Sequence, residues 1–313
     1  PQDWFAIVFN PSFPYRLAHM AMASFLVSAL LVAATAAFHL LKGRRDALVK
    51  KSFSMAMWMI LALAPLQMFV GDLHGLNTLE HQPAKLAAME GHWETNKDHG
   101  MPLYLFGIPD MEAEETKYAI GIPNLGSLIM THTLDGEVKG LKEFAPEDRP
   151  NSLVVFWSFR IMVGLGVLMI LMAVLGAWLR KTDKFYDSVW LHRFALYMGP
   201  SGFIALLAGW FTTEVGRQPW VVYGVLRTKD TLSPVSAEQV GLTLIIFVMV
   251  YFIVFGVGIF YMLKLMRKGP EFIHSAPHSE QAVIQASKRP LSTIDDENDL
   301  NKENPKQDQE NQK

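Results

Sequence analysis

Long apolar runs separated by polar stretches dominate the pattern along this chain. Five of them, at 17–41, 52–70, 152–179, 189–213 and 240–266, reach the roughly 18 apolar residues that a bilayer span requires. They predict an all-α membrane protein with five transmembrane helices. Residues 1–16 read as a short aromatic interfacial lead-in, and 73–151 as one long connection between the second and third spans. Loops of that length inside a compact protein are usually functional or disordered. Its apolar pieces at 106–110 and 119–123 are punctuated by Gly and Pro, which predicts an ordered segment packed on the membrane face. Beyond 266 the chain turns rich in Gln, Asn, Glu and Lys, so 267–313 is expected to be a disordered tail.

Charge orients this pattern. The loops at 42–51 and 180–187 and the end of the last span carry Lys and Arg in excess. The long connection is acidic, with Glu80, Glu90, Glu94, Asp98, Asp110, Glu112, Glu114 and Glu115. The positive-inside rule then places the short loops and the tail in the cytoplasm and the long connection outside. An odd number of spans starting outside, with no initiator Met at Pro1, raises the expectation that helices precede this segment. The chain has no cysteine, which excludes disulfides, iron–sulfur clusters and thiol catalysis. No Gly-rich phosphate loop and no internal repeat occurs, and nothing points to nucleic acid.

Polar residues inside or at the ends of the spans are the candidates for chemistry, because ionisable groups there are costly. Glu214 and Arg217 follow the apolar run at 194–211, where partial negative charge at a helix C-terminus disfavours an acid unless a cation, proton or metal compensates it. An ion pair with Arg217 meets that need, as does a metal or proton-handling role. Trp210 falls one turn before Glu214 on the same face. Asp72 closes the second span and meets the same dipole problem. His19 lies near the start of span one and fits either an iron ligand or a hydrogen-bonded interfacial residue. Met162 fits packing or ligation. Arg160, in the same span, should face a carboxylate or another anion, pointing away from Met162. A His and a Met from different helices would make a low-spin haem site of raised potential. His39 and His192, at the cytoplasmic ends, read as capping or interfacial residues. Within 85–94, a short amphipathic helix places Lys85 and Glu90 where they could hold or exchange a proton with a polar headgroup.

Several runs taken together resemble subunit I of the cytochrome bd-type quinol oxidases. They are Gly-Trp-Phe-Thr-Thr-Glu-Val-Gly-Arg-Gln-Pro-Trp at 209–220, Phe-Arg-Ile-Met-Val at 159–163, Lys-Leu-Ala-Ala-Met-Glu at 85–90, Trp-Glu-Thr at 93–95 and Phe-Gly-Ile-Pro-Asp at 106–110. The resemblance covers roughly the C-terminal two-thirds of that family and implies a bundle of about nine spans. It implies His19 and Met162 as axial ligands of a low-spin haem b, with Arg160 near its propionates. Glu214 would ligate a high-spin haem, most readily of b type, beside a haem d or a further haem b. Trp210 would pack beside those haems, and Arg217 would pair with Glu214 or a propionate. Lys85 and Glu90 match residues associated with quinol oxidation. The implied partners are quinol, oxygen, membrane lipid, a second integral subunit and a small single-span subunit. The family's earlier spans carry another haem ligand, so this segment alone is not expected to reduce oxygen. The connection lacks a long insertion and so resembles the short-loop, cyanide-insensitive type. A competing reading is a secondary transporter using Glu214, Arg160 and Asp72 within the membrane; another is a structural membrane subunit.

Overall fold

The computed structural model describes residues 3–97, 99–231 and 234–269. The tail expected at 267–313 falls almost wholly outside the described residues.

A short helix α1 (Trp4–Val8), capped by the Asp3 carboxylate, leads into α2 (Phe13–Leu41) and α3 (Ala47–His81). The small helix α4 (Pro83–Glu90) follows, then a hairpin of β1 (Leu103–Asp110) and β2 (Glu115–Ile122), and α5 (Leu125–Thr131). The second half comprises α6 (Ser152–Lys181), α7 (Val189–Met198), α8 (Ser201–Arg217), a small hairpin of β3 (Trp220–Val222) and β4 (Leu226–Arg227), and α9 (Ala237–Lys268). Among the described residues, five helices or helix pairs are long and apolar enough to cross a membrane. Side-chain caps start three further helices: Asp46 accepts from the Val49 amide, Asn151 from Val154 and Ser188 from Leu191.

The observed elements depart from the sequence reading in three places. The second span does not end at Asp72. Its helix continues to His81, because backbone hydrogen bonds persist through polar residues, so Asp72 sits mid-helix and escapes the C-terminal dipole problem. The fourth span is two helices, α7 and α8, separated at Gly199-Pro200. The long connection contains an antiparallel hairpin pairing Leu103 with Ile122 and Asp110 with Glu115. Mostly helical architecture stands; the strands are an addition to it.

Packing occurs in two tiers. At the end of the bundle away from the long connection, Leu30, Phe53, Ile60, Met172 and Leu191 form a closed core between α2, α3, α6 and α7. There His39 Nε2 meets the Met266 carbonyl at 2.9 Å, and His192 Nε2 meets the Phe185 carbonyl at 3.2 Å, so both histidines satisfy backbone oxygens. At the connection end, Ala87, Ala88, Met89, Trp93, Leu141 and Val155 make a second cluster beneath the connection. Between the tiers the helices do not close on one another: α2 has no buried residue before Leu26, α3 none between Ala64 and Thr78, and α6 none between Ser158 and Met169. No residue of α9 is buried. An apolar helix exposed on all sides fits a lipid environment.

Candidate haem and quinol site

Helix α4 is built to bury its charges. Pro83 starts it and Gly91 ends it in the left-handed conformation, with φ +71°. A Cβ at Gly91 would lie 2.8 Å from the Phe156 ring, so no larger residue fits. Exchanging Gly91 for Ala is therefore expected to cost about 1–3 kcal/mol through strain at a left-handed position and contact with Phe156. Faster proteolysis of the connection in membranes would register it. The sequence reading placed Lys85 and Glu90 on an amphipathic helix; both are in fact buried, at 6% and 1% exposure.

Glu90 is held by Arg160 of α6, whose Nη2 donates to Oε2 at 2.9 Å. The same guanidinium donates from Nε and Nη2 to the Tyr104 carbonyl, at 3.0 and 2.7 Å, and from Nη1 to the Met89 carbonyl. Its Cζ lies 3.8 Å from the Phe156 ring centroid. Arg160 thus meets the carboxylate that its position demanded, and it clamps two parts of the connection, the end of α4 and the start of β1, onto α6. Four of its N–H···O contacts go to protein, leaving one of its five N–H groups for another acceptor.

Lys85 lies on the other face of α4, with its stem across Gly216 of α8: a Cβ there would come 3.0 Å from Lys85 Cγ. Burial, followed by the positive charge of Arg16, pushes the Lys85 ammonium down to about 8; Glu214 works against the shift and Arg217 adds to it. Arg217 also pairs with Glu214, three residues earlier on α8. The acid at the end of α8 is compensated by cations, as the dipole argument requires. Trp210, one turn back, is 58% exposed and tilted against Phe211.

His19 and Met162 each lie against a glycine of a neighbouring helix. A Cβ at Gly71 of α3 would lie 3.2 Å from His19 Cε1, and one at Gly209 of α8 would lie 2.8 Å from Met162 Sδ. His19 faces α3, where the His74 ring centroid is 6.1 Å away, and Met162 faces α8. Met162 and Arg160 point to different neighbours, as their spacing predicted. The two candidate ligands are held by different helix pairs within the band that lacks buried residues. The residues present fit a haem. One imidazole and one thioether suit low-spin iron, each donor is seated against a glycine of the neighbouring helix, and His19 Nδ1 is buried with no protein partner. Among the described residues no three of His, Asp or Glu converge, so an iron held by a macrocycle suits this donor set better than a metal held by protein alone.

Sequence reasoning missed several residues of this region. His92 stacks on Tyr104 at 4.5 Å, and its Nε2 lies 2.8 Å from the Pro102 carbonyl; burial pulls its pKa down. Only the position of His92, just past the Gly91 helix stop, hinted at it. Arg227 of β4 pairs with Asp148 at 2.6 Å, tying the second hairpin to the connection. Nothing in the local sequence signals that pairing.

Comparison with known proteins identifies the group to which these elements belong. The sequence profile of the cytochrome bd terminal oxidase subunit I family matches residues 1–270. The chain is 34% identical over 302 residues to cytochrome bd ubiquinol oxidase subunit 1 of Bacillus subtilis, covering 93% of this chain and 63% of that protein. It is 29% identical to cytochrome bd-II ubiquinol oxidase subunit 1 of Escherichia coli, covering 89% and 66%. Among solved structures, the bd oxidase from Geobacillus thermodenitrificans superposes with a TM-score of 0.77 at 32% identity, covering 86% of this chain and 61% of that one. The chain thus spans somewhat under two-thirds of the length of these relatives. Its helices, its connection and its sequence agree: the chain belongs to the cytochrome bd terminal oxidase subunit I family.

Proposed function

We propose that this chain is the quinol-oxidising, haem-carrying part of a terminal respiratory oxidase that reduces oxygen to water. The observation that carries this reading is the Arg160 clamp. It joins Glu90, on the connection, to the helix that bears Met162, so a quinol site and a haem ligand share one short stretch of structure. In this reading His19 and Met162 hold a low-spin haem b and Glu214 holds a high-spin haem b. Trp210 and Arg217 line the high-spin site, which also takes a haem d or another haem b in the complete protein. The remaining N–H of Arg160 is free for a propionate. When bound, the haems supply one-electron redox chemistry between a two-electron donor and oxygen.

The residues of the chain perform the rest. Lys85, as an ammonium, donates a hydrogen bond to one oxygen of the quinol. Glu90, fixed by Arg160, accepts a proton from the hydroxyl group. Burial of α4 keeps water from competing for these contacts. With the connection outside and the basic loops inside a bacterial cytoplasmic membrane, that proton leaves outward while protons for water formation come from the cytoplasm. A second integral subunit and a small single-span subunit complete the assembly, with lipid around α9. The family is one of oxidase subunits, and both Glu214 and Arg160 are engaged in ion pairs, which disfavours the transporter reading.

The test is anaerobic addition of a short-chain quinol to membranes containing the full-length gene product. Reduction of a b-type haem band is expected. A haem band that dithionite reduces but quinol does not would overturn the reading.

A further inference from the structure

The side of α3 that faces His19 carries a residue for which the site has so far had no use. Gln67 lies one turn before Gly71 on the same helical face, and its Nε2 donates to the His19 carbonyl at 3.1 Å. The Oε1 of that amide is buried with no hydrogen-bond partner, and so is Nδ1 of His19. The ring edge formed by Cε1 and Nδ1 is the edge turned toward Gly71: a Cβ there would lie 3.2 Å from Cε1 and 3.7 Å from Nδ1. A buried acceptor and a buried potential donor therefore sit on two residues that a side-chain-to-backbone hydrogen bond already links. Buried polar groups without partners are rare in folded proteins and call for an explanation.

We propose that Gln67 is the positioning residue for His19, accepting a hydrogen bond from Nδ1–H once Nε2 is engaged. This rests on the reading of His19 as a haem ligand. A ligating histidine characteristically donates its other ring N–H to a nearby acceptor, which fixes the tautomer and the ring orientation and raises the basicity of the ligand. The two atoms are not bonded to one another here, so the bond requires a change of side-chain rotamer. Such a bond puts the proton on Nδ1 and leaves the Nε2 lone pair for iron. An amide is a weaker acceptor than a carboxylate, so the strength of donation from His19 is set by the residue at position 67. Stronger acceptance favours the ferric state and lowers the potential; removing the acceptor raises it.

The experiment is a redox titration of the low-spin band in membranes with the full-length protein, comparing the parent with Gln67→Leu, Gln67→Glu and His19→Ala. Potentials shifted in opposite directions are expected, upward in Gln67→Leu and downward in Gln67→Glu. Each shift should approach a tenfold change in the reduction equilibrium, about 59 mV for one electron. Unshifted titrations in both variants, a shift of the same sign in both, or loss of the band from both would overturn the proposal in favour of a packing role. His19→Ala separates the two levels. If the low-spin band survives there, the ligand reading itself has failed; if it is lost while Gln67 proves inert, only the role of Gln67 has.

Discussion

Replacing Arg160 with alanine should release the connection from the bundle and bring quinol oxidation close to zero. The guanidinium side chain is 12% exposed and the Glu90 side chain only 2%. Removing one partner of a buried pair strands the other and costs about 3–5 kcal/mol. Here the loss is compounded, because the Tyr104 and Met89 carbonyls lose their donors as well. Glu90→Gln separates chemistry from architecture. It keeps the shape and an acceptor for Arg160 but removes the base, so turnover should fall roughly a hundredfold or more, within the span that general bases contribute, while the connection stays protease-resistant. Arg160→Lys should restore little, since an ammonium cannot reproduce the planar fork that reaches Tyr104, Met89 and Glu90 together. Quinol oxidase assays and limited proteolysis of the same membranes check both outcomes. Equal activity in Glu90→Gln and the parent would remove Glu90 from the reaction.

The second large effect concerns Lys85 and pH. A lysine titrating at about 8 is charged at neutral pH and loses its proton as pH rises through that value, well below the ordinary 10.5. If the ammonium holds the quinol oxygen, activity should fall above pH 8, to about a tenth at pH 9 for a single proton, since each unit past the pKa is tenfold. Lys85→Arg should remove this limb, because a guanidinium stays charged throughout. Lys85→Met should lack it too, at uniformly low rate. Of the groups that act on Lys85, Arg16 and Arg217 depress its pKa and Glu214 raises it. Arg16→Gln should therefore move the limb to higher pH. A pH profile of kcat/KM for each variant gives the answer, and an alkaline limb unchanged in Lys85→Arg would contradict the assignment.

Much of this site was legible in the sequence because a membrane limits where charge can go. An arginine in an apolar run had to find an anion, and Arg160 finds Glu90. An acid at the end of an apolar helix had to be neutralised, and Glu214 meets Arg217. The extension of α3 to His81 was hidden because the apolar signal stops at Asp72 although the helical backbone does not. The 103–122 hairpin was hidden because β1 alternates buried with exposed residues only near its end and most positions of β2 are exposed. The Gln67–His19 relation needs two helices placed side by side, 48 residues apart in sequence, and no local pattern conveys that.

The claim on which everything else depends is that His19 and Met162 hold a low-spin haem. The direct test is a dithionite-reduced minus oxidised spectrum of membranes containing the full-length protein, recorded for the parent, His19→Ala and Met162→Leu. The account predicts that each variant loses the low-spin b band and keeps the high-spin signals. A low-spin band unchanged in both variants would contradict it.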